Sequence, residues 1–394
     1  MTSIPKTRIQ SIDLLRGLIM IIMALDHARD YFHADAFLYN PLDLEKTTPI
    51  LFFTRWITHL CAPLFMFLAG TSAFFIGQKK TKTELSLFLL KRGLWLVFLE
   101  LIVVNFGWGF NGSFPFFMSG PIWALGFSMI ILGALIYLPK NIIFILSLIT
   151  IIGHNLLDNI HFPGNNLGSF SWALLHEQNI FSWQGEQFLA GYPIIPWFAV
   201  MAMGYIFGQF YTQEFNSEKR KKNLLMIGLS LIGAFIAIRF VNIYGDPVPW
   251  TIQDNPFYTF LSFMTVNKYP PSFLYILITI GIGILFLAFS EKWKGKLVAI
   301  ITVYGRVPMF YYIIHIYLIH LLAMICSELF TNVSWQNWIL RKPLWFDDDL
   351  KGSGFSLTVV YLVWIFVVVA LYPICKKYDA YKQSHKEKWW LSYL

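Results

Sequence analysis

The stretch that decides the fold is Ser11-Ile12-Asp13-Leu14-Leu15-Arg16-Gly17-Leu18-Ile19-Met20-Ile21-Ile22-Met23-Ala24-Leu25-Asp26-His27-Ala28-Arg29-Asp30-Tyr31-Phe32. As a helix rising about 1.5 Å per residue it reaches roughly 33 Å, enough to cross a bilayer core. Yet it carries Arg16, Asp26, His27, Arg29 and Asp30 among its apolar residues. An ionisable group inside a membrane costs on the order of several kcal/mol unless it is paired or hydrated. Such a segment is a spanning helix with chemistry on it. The charges and the lack of a following A-x-A site argue for a retained helix rather than a cleaved signal peptide.

Nine further apolar runs of comparable length follow: 51–76, 85–108, 122–138, 142–157, 192–211, 224–244, 273–289, 303–330 and 357–374. The predicted fold is therefore all-α: a polytopic integral membrane bundle of about ten transmembrane helices, forming a single domain over residues 1–394. Short basic segments fall in alternate loops, and so on one side. They are Lys6 and Arg8; Lys79, Lys80 and Lys82; Lys140; Lys219 to Lys222; Lys292, Lys294 and Lys296; and the C-terminal tail. The positive-inside rule places all of them, with both termini, in the cytoplasm. The long loops 158–191 and 245–271 then lie outside.

Composition agrees. The chain is 57% hydrophobic and 13% charged, with mean hydropathy +0.57, which leaves too little polar surface for a soluble protein. The net charge of +8 sits in short clusters between apolar runs, so it reads as topology rather than nucleic-acid binding. Cys61, Cys326 and Cys375 form no CxxC pair, which argues against a disulfide framework or a cysteine metal site. Trp108, Trp172, Trp183 and Trp250 fall toward the outer side, where they anchor the interface or stack a sugar ring.

Counting depth sorts the intramembrane polar residues into two layers. Arg16, Lys91, Arg92 and Arg306 lie toward the cytoplasmic side, where cations bind a phosphorylated ligand, snorkel to headgroups, or, for Arg16, pair with Asp13. The outer layer holds His27, Asp30, His59, His154, Asn155, Asp158, Arg239, Asn242 and Asp246, with His315 deeper and His320 at outer depth. Histidine is the side chain best suited to take a proton near neutral pH, and an adjacent Asp26 or Asp30 would orient its ring. His27, His59, His154, His315 and His320 do not form the two facing pairs of a haem site, and no metal is expected.

The motifs Ser11-Ile12-Asp13-Leu14-Leu15-Arg16-Gly17 and Pro63-Leu64-Phe65-Met66-Phe67-Leu68-Ala69-Gly70 resemble the heparan-α-glucosaminide N-acetyltransferase catalytic domain family. Asp26-His27, Thr58-His59-Leu60-Cys61-Ala62-Pro63, Gly153-His154-Asn155 and Gly305-Arg306-Val307-Pro308 resemble a bacterial branch of it. The spacing of Arg16 and His27 is also similar to the Arg-x10-His motif of bacterial membrane O-acetyltransferases. The resemblance implies a homodimeric acyltransferase of the bacterial inner membrane, using cytoplasmic acetyl-CoA to acetylate an amino sugar or glycan on the far side. It also implies a catalytic histidine just after the first helix, for which His27 and His33 are the nearest candidates; His59, on the second helix, is a further candidate for the catalytic histidine.

On this reading acetyl-CoA docks on Arg16, Lys91, Arg92 and Arg306, and its pantetheine arm reaches His27. His27 acts as base or acyl carrier, Asp30 orients it, and His59 with Asn155 polarises the thioester carbonyl. His154, Asn155, Asp158, Arg239, Asn242 and Asp246 face the acceptor. The alternative is a sugar or small-molecule permease, which shares the helix count and polar midplane; it predicts paired broken helices, and the sequence has none.

Overall fold

The computed structural model describes residues 9–392. Lys6 and Arg8, on which the expectation of a cytoplasmic N-terminus partly rests, lie outside the described residues. The chain is mostly helical. In order, the helices are α1 (Gln10–Phe32), α2 (Pro49–Ile57), α3 (Cys61–Gly77), α4 (Lys82–Leu99), α5 (Asn105–Gly109), α6 (Pro121–Leu135), α7 (Lys140–Gly153), α8 (Leu167–Leu175), α9 (Trp197–Phe207), α10 (Ser217–Val241), α11 (Pro256–Met264), α12 (Phe273–Ser290), α13 (Lys296–Arg306), α14 (Pro308–Phe330) and α15 (Leu357–Ser384). A single 3-10 turn joins α2 to α3, and a π-helical turn, Glu100–Val104, joins α4 to α5.

Six helical segments among the described residues are long and apolar enough to cross a membrane: Pro49–Gly77, Lys140–Leu157, Ser217–Val241, Phe273–Ser290, Pro308–Phe330 and Leu357–Ser384. The other four expected spans are helices of a different kind. α1 and α4 carry too many charges, whereas α6 has 15 residues and α9 only 11. The expected ninth run, 303–330, is two helices. Pro308 has no N–H to continue α13 and forces Val307 out of the helical region, to φ −127° and ψ 47°.

A second departure is a three-stranded sheet in an otherwise helical chain: β1 (Phe116–Met118), β2 (Asn179–Trp183) and β3 (Glu186–Ala190), in the order β1-β3-β2. β2 and β3 form a hairpin closed by Gln184 and Gly185, both at positive φ, and β1 runs parallel to β3. Gln-Gly is a weaker turn signal than Asn-Gly or Asp-Gly, and each strand has five residues or fewer.

α1 is the axis of the bundle. It is buried along nearly its whole length and packs against α13, α14, α15, α3 and α12. Lipid gives no hydrophobic drive between helices, so close van der Waals packing must hold them. Glycines provide it. A Cβ on Gly17 of α1 would stand 2.0 Å from the Ile301 carbonyl oxygen of α13, and one on Gly305 of α13 would stand 1.8 Å from that of Asp13. α3 and α9 repeat the device: a Cβ on Gly70 meets the Met201 carbonyl at 1.8 Å and one on Gly204 meets that of Phe67 at 2.0 Å. Each crossing is backbone against backbone. Gly204→Ala is therefore expected to destabilise by about 1–3 kcal/mol through overpacking. Lowered thermal unfolding midpoint in detergent checks this; an unchanged midpoint would mean that the two helices part without cost.

Candidate functional site

A cavity of about 740 Å³ runs beside α1. Ile12, Asp13, Arg16, Met23, Asp26 and His27 of α1 all line it. From Asp13 to His27 is about 21 Å of helix at 1.5 Å per residue, so the passage follows α1 for most of its length. Its wall carries the cations Arg16, Lys79, Arg92, Arg306 and Lys382, and farther along α1 it is lined by His27, Asp26, Cys61, Tyr192, Lys268 and Tyr312. Arg16, Arg92 and Arg306 of the expected inner layer and His27 of the expected outer layer share this one space.

Arg16 is fixed from three sides. It donates to Asp13 at 3.2 Å, to the Gly305 carbonyl at 3.2 Å and to Ser72 at 2.8 Å. Arg306 pairs with Asp379 at 3.3 Å. Lys91 is exposed and absent from the cavity wall. It separates from Arg92 because adjacent helical residues point about 100° apart.

His27 is buried and sits edge-on to Trp108, with ring centroids 5.1 Å apart. Its Nδ1 lies 2.8 Å from Nε2 of His315, and the two rings are nearly parallel. His315 Nδ1 lies 2.9 Å from the Tyr311 carbonyl oxygen, which can only accept. Nδ1 of His315 therefore carries its proton, Nε2 of neutral His315 accepts, and Nδ1 of neutral His27 donates. This leaves the lone pair of His27 on Nε2, the form needed of a base or nucleophile. Where the sequence suggested Asp30 or Asp26 beside this ring, the structure places His315 against its Nδ1. Asp30 ends on Arg29 at 2.6 Å, outside the cavity wall.

Asp26 has a different task. Its carboxylate accepts from Arg55 at 2.9 and 3.0 Å, from Arg29 at 2.8 Å and from Thr58 at 2.9 Å, with Lys268 Nζ at 3.8 Å. One buried carboxylate thus gathers three cations, and Lys268 among them presents charge to the cavity beside His27. His59 is buried one turn away from this cluster, against Tyr275 and Trp56. Neither of its ring nitrogens has a hydrogen-bond partner and it does not line the cavity, so it stands apart from the expected carbonyl-polarising position. His33 follows α1, 4.0 Å from Asp35, and is also outside the wall.

The expected acceptor residues form two separate groups, neither in this cavity. Arg239 donates to the carbonyls of Val248, Ser262, Phe263 and Thr265, so it organises the loop around α11. Asn242 exchanges two hydrogen bonds with the Trp250 backbone. Asp246 accepts from Ser272, Asn267 and Val248, and burial raises its carboxyl above the ordinary range despite those bonds. The other group is His154, Asn155 and Asp158, joined by His176: Asn155 donates to Asp158 at 2.7 Å and His176 Nε2 lies 3.0 Å from Asp158.

Sequence reasoning left Arg55, Lys268 and the partnership of His315 unassigned. Lys268 lies in a segment with Pro270 and Pro271 that reads as loop, and Arg55 lies near the start of its span, where a cation reads as snorkelling. No local signal marked His315 as the partner of His27, because depth counting placed it deeper than the outer layer.

Residues 8–242, which are 235 of the 394, match the family described as Heparan-alpha-glucosaminide N-acetyltransferase, catalytic. No curated protein gives a match. The matched segment includes Arg16, His27, Asp26 and Arg92; Lys268, Arg306 and His315 come from beyond it.

Proposed function

The chain belongs to the heparan-alpha-glucosaminide N-acetyltransferase catalytic family of membrane acetyltransferases, and on that footing we propose that it moves an acetyl group from cytoplasmic acetyl-CoA to an amino sugar or glycan across the bilayer. The observation that carries this reading is one cavity lined both by a group of cations and by His27, with Arg16 and His27 on the same helix. Pyrophosphate and 3′-phosphate oxygens match guanidinium and ammonium donors. Arg16, Arg92 and Arg306, joined by Lys79 and Lys382, hold the nucleotide end, and the pantetheine arm lies along the apolar middle of the passage.

The acceptor amine or hydroxyl attacks the thioester carbonyl while His27 Nε2 takes its proton. The C–S bond breaks, and the proton passes to the departing CoA thiolate. In the acyl-carrier version Nε2 attacks the thioester carbonyl, the C–S bond breaks and CoA departs as thiolate; the acceptor then takes the acetyl group from the ring, and its proton goes to the thiolate. In both, Nδ1–H of His27 stays on His315, which shares the positive charge that develops. Lys268 offers its ammonium to the oxyanion. The helices α1, α4, α6 and α9 complete a bundle of ten spans with cytoplasmic termini in a bacterial inner membrane: α1 is sheathed by five helices, so its charges need no contact with lipid.

The test is purified protein in lipid nanodiscs with acetyl-labelled acetyl-CoA and a panel of amino sugars and glycans. Saturable transfer of label is expected. A folded protein that neither binds CoA nor transfers label would overturn the proposal. The cationic wall gives a second expectation. Arg92→Ala and Arg306→Ala should each weaken acetyl-CoA binding about tenfold, equivalent to about 1.4 kcal/mol, whereas Lys91→Ala should not. Calorimetric titration with CoA checks this, and equal effects at Lys91 and Arg92 would count against the cavity as the CoA site.

A further inference from the structure

The cluster at the end of α7 is not used by acetyl transfer, and its chemistry is of another kind. His154 and Asp158 lie in and just after the last turn of the Lys140–Leu157 span, and His176 caps α8. One ligand-type atom from each lies within 4.8 Å of the other two. Both histidines are 2% exposed. Neither ring nitrogen of His154 has a hydrogen-bond partner, and neither has Nδ1 of His176.

Buried polar atoms in a folded protein are normally satisfied, so the His154 ring, with neither nitrogen partnered and a ligand-type atom close to those of Asp158 and His176, needs an explanation. A cation supplies it. We propose that His154, Asp158 and His176 bind a divalent transition-metal ion of the zinc class. Two imidazoles and one carboxylate are the donor set such ions accept, with water completing the coordination. The surroundings fit. Asn155 donates to the second oxygen of Asp158 at 2.7 Å, the kind of outer hydrogen bond that orients a ligating carboxylate. The Asp158 side chain is 16% exposed, which leaves the ion an approach from solvent. On binding through His176 Nε2, the cation replaces the contact of that nitrogen with Asp158, and the ring proton sits on Nδ1.

The site ties two parts of the chain. His154 and Asp158 belong to the bundle: Asn155, between them, accepts from the Phe273 N–H at the start of α12. His176 belongs to the outer loop whose hairpin β2–β3 runs on to Tyr192 in the cavity wall. A bound ion therefore clamps that loop to the bundle.

The test uses full-length protein in nanodiscs, stripped with chelator and titrated with Zn²⁺ or Co²⁺ alone. Stoichiometric uptake is expected, with visible absorption bands for bound Co²⁺ and a rise in thermal unfolding midpoint. His154→Ala and His176→Ala should each lower Zn²⁺ affinity at least tenfold, whereas His161→Ala, at an exposed neighbour, should not. Wild-type protein that takes up no stoichiometric Zn²⁺ or Co²⁺ would refute the site. So would folded His154 and His176 variants with wild-type affinity. If those variants do not fold, the wild-type midpoint decides: no rise with added metal counts against the site. None of these readouts depends on acetyl transfer.

Discussion

His27→Ala is expected to lower acetyl transfer by about 10²–10⁴-fold while leaving CoA affinity close to that of the wild type. The range is that of a positioned acid–base group. Affinity survives because the cations of the wall lie elsewhere along the cavity, from about 16 Å of helix away at Arg16. The fold also survives, since His27 gives the bundle one side-chain hydrogen bond, to His315. That bond makes the expectation sharper. His315→Phe removes the acceptor for Nδ1–H and frees the ring to turn, so kcat should fall with little change in KM. His315→Gln, whose amide oxygen accepts a hydrogen bond, should recover part of the loss. Turnover that persists in His27→Ala would move the chemistry to another group. A loss of CoA binding as large as the loss of turnover would make His27 a binding residue instead.

The second large effect is on stability. Asp26→Asn is expected to cost about 3–5 kcal/mol, the scale of breaking a buried ion pair by removing one partner. Arg29, Arg55 and Lys268 converge on this carboxylate. An amide of the same shape still accepts a hydrogen bond but neutralises none of the three. The cations come from α1, from α2 and from the segment before α12, so their repulsion would act on the bundle where these elements meet. Asp30→Asn should cost less, because Arg29 keeps Asp26. Thermal unfolding in nanodiscs checks both. Equal midpoints for wild type and Asp26→Asn would show that the cluster is hydrated rather than sealed.

Much of this arrangement was legible because hydropathy and charge act locally. The spans around Pro49–Gly77 and Phe273–Ser290 were visible as uninterrupted apolar runs, and Arg16 and His27 were conspicuous as charge and imidazole inside such a run. What depends on pairing between distant segments was hidden. Asp30 was the natural partner for His27 by helical spacing, three residues on, yet the partner is His315, 288 residues away. Burial of Lys268 comes from the way its loop folds back over Asp26, and no local pattern encodes that. The place of the expected acceptor residues was hidden for a related reason: they do not line the cavity. Arg239, Asn242 and Asp246 are polar because irregular backbone at the end of a span needs donors and acceptors, and each is spent on its own loop. The sheet was lost in segments too short to show alternation.

The glycine crossing of α1 and α13 bears on how sharply the passage selects what enters it. Gly17 and Gly305 are the immediate neighbours of Arg16 and Arg306, and Arg16 is bonded to the Gly305 carbonyl itself. Where peptide planes touch, no side chain remains to rotate or compress. The two guanidinium groups therefore spring from a rigid frame whose width is set by the contact of backbone on backbone, like the fixed jaws of a gauge. Bilayer thickness and temperature, which alter looser helix contacts, should leave this spacing nearly constant. Recognition of the donor's phosphates would then hold steady across lipids while the rate of transfer varies with them.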